Sequence, residues 1–125
     1  MKTDEKELRA INLTLEAGEH IRSFIRCTYD LQQSSEKIPL CGMLAVTSQR
    51  IIFYSCTMGN PWIKFINYHH ISLAKLEKEL SDTKGSILLI NQGVNEVFCH
   101  LPNEERIERF IAILEQEAGI SCENY

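Results

Sequence analysis

The chain has 125 residues, 44 % hydrophobic and 24 % charged, the composition of one globular domain with its own core. Its six Gly, three Pro and five Cys exclude a collagen-like repeat, a low-complexity disordered chain and a disulfide miniprotein. A formal charge of −4, from 13 basic and 17 acidic residues, argues against bulk phosphate or nucleic acid as the main ligand, since such proteins carry a basic excess.

The first segment reads as a helix. Asp4 and Glu7 stand at the spacing of a capping box, Leu8, Ile11 and Leu15 share one face, and Gly18 is a stop. The stripe is narrow, so this helix is expected to lie on the domain, or to dock a partner or a second copy, rather than to form the core. From Ile21 to Tyr29 the period is two. Ile21, Ile25, Cys27 and Tyr29 share one face, Arg22, Arg26 and Thr28 the other, with Phe24 the exception. Asp30 to Pro39 is polar and reads as a loop. Two strongly apolar strands, Leu40 to Thr47 and Arg50 to Cys56, flank a tight hairpin. Thr57-Met58-Gly59-Asn60-Pro61 is a further turn.

A fourth strand spans Trp62 to Tyr68, with Ile63 and Phe65 on one face and Trp62, Ile66 and Tyr68 on the other. The fifth, Ile71 to Leu80, turns Ala74, Leu76 and Leu80 inward. It also fits a helical period, but its neighbours are strands and Ser81 to Gly85 reads as a hairpin turn. Ser86 to Asn91 and Val94 to Leu101 complete seven strands, joined at Asn91-Gln92-Gly93. Asn103 caps a last helix with Glu104 and Glu105 in its first turn. Ile107, Phe110, Ile111, Leu114 and Ala118 form a wide apolar stripe, and Gly119 ends it. Short turns imply an antiparallel meander. A meander of this size curls to hide its edges, and the last helix closes its open end. Residues 1–18 are thus an N-terminal helix, 19–119 the domain and 120–125 a short tail.

The order of elements and several local sequences resemble the bacterial pleckstrin-homology-like domains, in the YokE-like group related to GRAM domains. The strongest piece is Gly42-Met43-Leu44-Ala45-Val46-Thr47-Ser48-Gln49-Arg50-Ile51-Ile52-Phe53-Tyr54, similar to the family's G-x-L-x-x-T-x-x-R-L-I-F pattern. Phe65-Ile66-Asn67-Tyr68-His69-His70-Ile71-Ser72 resembles the approach to its next strand, though Asn67 stands where the family often has Pro. The resemblance covers roughly residues 19 to 117. It implies a mainly β fold, a partly open seven-stranded barrel capped by a C-terminal α-helix, and a binding role in a family that commonly forms homo-oligomers.

No residue pattern marks an active site. The five cysteines lack C-x-x-C or zinc spacing and read as free thiols used as small hydrophobes, with Cys122 the one expected to be exposed. His69 and His70 are adjacent, so on a strand they point to opposite faces, and His20 and His100 lie elsewhere. No carboxylate pair stands out, and no phosphate-binding glycine motif occurs. No catalytic residue, metal or cofactor is therefore expected. Thr47 is read as closing its turn and Arg50 as pairing with a carboxylate on a neighbouring strand, with an anion contact the alternative.

Candidate partner-binding residues are Arg22 and Arg26, placed four apart on one strand face, Lys37 in the following loop, and Met58 and Trp62 at an apolar tip. The charged N-terminus has no signal-peptide core and no apolar run approaches about 18 residues, so a cytoplasmic location is expected. Protein–protein binding or self-association is the leading function. Peripheral binding of anionic lipid through Arg22, Arg26, Lys37 and the Met58–Trp62 loop is the alternative, weakened by the net acidity.

Overall fold

A computed structural model describes residues 2–33, 35–57, 59–77 and 85–124 of the chain. Helix α1 (Lys2–Asn12) precedes strands β1 (Ile21–Gln33), β2 (Glu36–Thr47), β3 (Arg50–Thr57) and β4 (Asn60–Asn67). One turn of 3-10 helix, Tyr68–His70, leads to β5 (Ile71–Glu77), β6 (Ser86–Asn91) and β7 (Val94–Cys99). Helix α2 (Glu104–Ala118) and strand β8 (Cys122–Asn124) follow. The strands form one open sheet in the order β4-β3-β2-β1-β7-β6-β5-β8. All pairs are antiparallel except β5 with β8.

Long β1 pairs with β2 from Ile21 to Gln33 but with β7 only at Thr28 and Tyr29. It is the seam at which the sheet bends from one half into the other. The inner faces of both halves pack around Ile25, Leu44, Phe53, Ile87, Leu89 and Phe98, and α2 inserts Ile107, Phe110, Ile111 and Leu114 into the same cluster. The helix is the expected plug.

Two expectations are corrected. The expected loop from Asp30 to Pro39 is instead paired over its described strand residues: Asp30, Leu31, Gln32 and Gln33 pair with Pro39, Ile38, Lys37 and Glu36. Leu31 and Ile38 pack against the core from this extension, so burial outweighs the local polarity. The sheet also has eight strands where seven were expected, because Cys122, Glu123 and Asn124 pair in parallel with Ala74, Lys75 and Leu76. Cys122 is accordingly buried rather than exposed. Burial, helped by the Glu115 and Glu123 carboxylates, pushes its thiol up to about 11. Leu80 and residues 81–84 of the expected turn lie outside the described residues.

Helix α1 ends sooner than Gly18 suggests, at Asn12. It lies on the outer face of β2 and β3, where Ile11 packs with Met43, Ala45 and Ile52, flanked by Leu8 and Leu15. Both faces of this hairpin are thus buried, which accounts for its nearly continuous apolar sequence. Turn chemistry is equally local. Gln92 and Gly93 both have positive φ, the requirement of a two-residue hairpin of the primed type. The Asn103 side chain accepts the Arg106 N–H at 3.0 Å, and Gly119 closes α2 at φ 71°. Asn103→Ala is expected to cost about 1 kcal/mol, read as a lower midpoint in urea. An unchanged midpoint would show that the cap is energetically silent.

Candidate functional site

The two β1 arginines do not form one patch. The pairing register slips between Ile21 and Ser23, and this bulge breaks the alternation that would align Arg22 with Arg26. Arg22 turns to the end of α2, bonding to Glu117 through Nη1 and to Gln116 Oε1 at 3.2 Å through Nη2. Arg26 turns to α1, with Nη2 2.9 Å from Asp4 Oδ1 and also bonded to Glu7. Lys37 is exposed and pairs with Gln32 near the far end of the β1–β2 extension. Six strand positions separate it from Met43, the partner of Arg26, a distance of about 20 Å. Met58 lies outside the described residues. Trp62 is partly buried against the core and stacks on Tyr29 with ring centroids 5.5 Å apart.

Arg50 does pair with a carboxylate, though on the segment before β1 rather than on a strand. Its Nε and Nη2 approach Glu19 Oε2 and Oε1 at 3.1 and 3.2 Å, and Nη2 donates to the Thr14 carbonyl at 3.0 Å. The Thr47 hydroxyl accepts the Gln49 and Arg50 N–H groups and donates to Glu19 Oε2 at 2.6 Å. The Glu19 side chain is wholly buried. The threonine and arginine of the hairpin motif therefore anchor the chain leading from α1 into β1.

A second buried carboxylate lies inside the bent sheet. Glu96 is 2 % exposed. It accepts from the Tyr29 hydroxyl at 2.5 Å, from Asn91 Nδ2 at 3.1 Å and from Lys64 Nζ at 3.1 Å. Lys64 lies on β4 and Glu96 on β7, so this pair ties the two halves together. Burial, then the Glu96 contact, pushes the Tyr29 hydroxyl far above its usual value. Sequence alternation places Glu96 on the inward register with Phe98, a signal that hydrophobicity alone passes over.

Cys99 Sγ is 3.5 Å from His100 Nδ1 and 3.9 Å from Asp30 Oδ2. Burial and the Asp30 carboxylate raise this thiol, the opposite of an activated nucleophile. Among the described residues no three His, Cys, Asp or Glu side chains are gathered as metal ligands.

A groove of about 450 Å³ lies between the start of β1 and α2. Ile21, Arg22, Ser23 and Phe24 line one side, Asn103, Glu105, Arg106 and Arg109 the other. The Arg106 guanidinium lies 5.2 Å from the Phe24 ring centroid. Arg106 and Arg109 were legible only as the charged side of the last helix, because nothing in the sequence shows that β1 runs beside it.

An open sheet, bent at its first strand and plugged by a C-terminal helix, is the pleckstrin-homology-like architecture. Solved structures bear this out. The C-terminal domain of an unknown protein from Leishmania infantum superposes with a TM-score of 0.63 at 15 % identity, over 94 % of this chain and 95 % of that one. The Vps36 N-terminal PH domain gives 0.63 at 15 %, over 84 % and 83 %. The hSac2 domain from the human phosphoinositide phosphatase Sac2 gives 0.58 at 12 %, over 99 % and 87 %. At these identities the likeness defines the fold. No family model and no curated protein matches the sequence. Among the described residues no helix is long and apolar enough to cross a membrane.

Proposed function

We propose that the chain is a non-catalytic, cytoplasmic interaction module of pleckstrin-homology-like fold whose ligand is a polypeptide, either a partner protein or a second copy. The grouping with YokE-like and GRAM-related domains belongs to this proposal and rests on the Gly42–Tyr54 hairpin. One observation carries the choice of a protein over a membrane: Arg22 and Arg26, the outward cations of β1, are each bonded to a carboxylate from a helix of the same chain. A headgroup would have to displace those carboxylates, and the protein around them is acidic.

Self-association has a natural surface in β4. It pairs with β3 along its length and is the last strand on that side of the sheet, with Phe65 44 % exposed. The test joins flotation on phosphatidylserine vesicles with light scattering after size exclusion. No flotation at physiological salt is expected, together with a mass that rises with concentration. Flotation that salt weakens and Arg22→Glu with Arg26→Glu abolishes would replace the protein ligand by lipid. A constant monomer mass would leave only the foreign partner.

A further inference from the structure

One groove departs locally from the net acidity. The chain carries −4 overall, yet the groove between β1 and α2 is lined by Arg106 and Arg109 with one carboxylate, Glu105, and by Arg22, which is already paired with Glu117. We propose that this groove docks an acidic segment of a partner polypeptide, its carboxylates meeting Arg106 and Arg109 and an apolar side chain resting on Ile21 and Phe24. This rests on the protein-binding reading above and narrows it to one surface and one ligand chemistry.

Three features point to a peptide. First, the groove is mixed rather than purely cationic: half-buried Ile21 and Phe24 line it beside the arginines, matching a chain that alternates charged and apolar side chains. Second, Arg109 is held only loosely. Its pair with Glu105 spans one helical turn, with both side chains more than three-quarters exposed. Such pairs contribute little, so an incoming carboxylate exchanges for Glu105 at low cost. Third, Arg22, which lines the groove, already donates to side-chain oxygens of Glu117 and Gln116 further along α2, the kind of acceptor an acidic segment offers. Arg106 stacks on Phe24 and reaches the Phe24 carbonyl at 3.5 Å, which orients a planar donor toward the groove.

The experiment is an amide NMR titration of the full chain with a short synthetic peptide of alternating glutamate and leucine, and a lysine–leucine peptide as control. Saturable shifts are expected at Arg22, Ser23, Phe24 and Asn103 to Arg109, with the acidic peptide only. Arg106→Glu with Arg109→Glu is expected to weaken binding about 10-fold or more. Both side chains are exposed, and the variant's own amide spectrum reports its folding. Absent shifts, shifts elsewhere, or unchanged affinity in the variant would overturn the groove. Two further arms separate the levels. A cross-linked partner held equally by wild type and variant sinks the groove while sparing the protein-binding module. Phosphatidylserine vesicles that shift the same amides, with the peptide inert, sink both.

Discussion

Gly42→Ala is expected to destabilise the fold by about 3 kcal/mol. A Cβ at this position would lie 2.1 Å from the Tyr54 carbonyl oxygen and 3.0 Å from both Phe53 Cζ and Ser55 Cα. Two of these are backbone atoms of β3, held by the ladder that pairs Gly42 with Ser55 and Met43 with Tyr54. The neighbour cannot yield like the end of a flexible side chain, so the hairpin must open or the core must shift. Urea unfolding gives the number, and far-UV circular dichroism shows whether the sheet survives. A loss under about 0.5 kcal/mol would mean that β3 yields freely, and the account of this glycine would fail.

Arg50→Ala is expected to cost about 3 kcal/mol, because it leaves the Glu19 carboxylate buried without its cation. Arg50→Lys should recover only part of this. An ammonium cannot bridge both Glu19 oxygens and the Thr14 carbonyl while covering the Phe65 ring, whose centroid lies 4.4 Å from the guanidinium carbon. The same site has a pH signature. Burial pushes the Glu19 carboxyl up, but hydrogen bonds from the Thr47 hydroxyl and the Glu16 N–H, with the Arg50 guanidinium, outweigh it and leave it below its usual 4.5. A carboxyl lowered by folding stabilises the fold above its unfolded value, and that contribution is lost as pH falls through the folded value. Wild type should therefore lose stability below about pH 4.5 more steeply than Glu19→Gln. Parallel pH curves for the two proteins would refute the linkage.

Much of the architecture was legible because it is local. The alternation in β1, β4 and β7, the Asn103 cap, the Gln92-Gly93 turn and the stripe of α2 each depend on a few neighbouring residues. What escaped was set at long range. The 30–39 extension is a strand because Leu31 and Ile38 find the core, and β8 forms because β5 has an open edge. One bulge at the start of β1 sends Arg22 and Arg26 to different helices. Of the described candidate site residues, Arg22 alone lines the groove, and the arginines on its other side, Arg106 and Arg109, lie more than eighty positions away in sequence.

The double-sided burial of the β2–β3 hairpin bears on how its register is specified. Where one strand face is wet, a slip by one residue exposes every apolar side chain and is penalised at once. Here Leu44, Val46, Ile51 and Phe53 face inward while Met43, Ala45 and Ile52 lie under α1. Exchanging the two faces would set apolar against apolar, so polarity gives little guidance. Correct pairing is left to two small groups. The bare Cα of Gly42 admits the Tyr54–Ser55 backbone and the edge of the Phe53 ring, and the Thr47 hydroxyl fixes the length of the turn. Loss of either should let mispaired hairpins compete during folding, before α1 has a surface to cover.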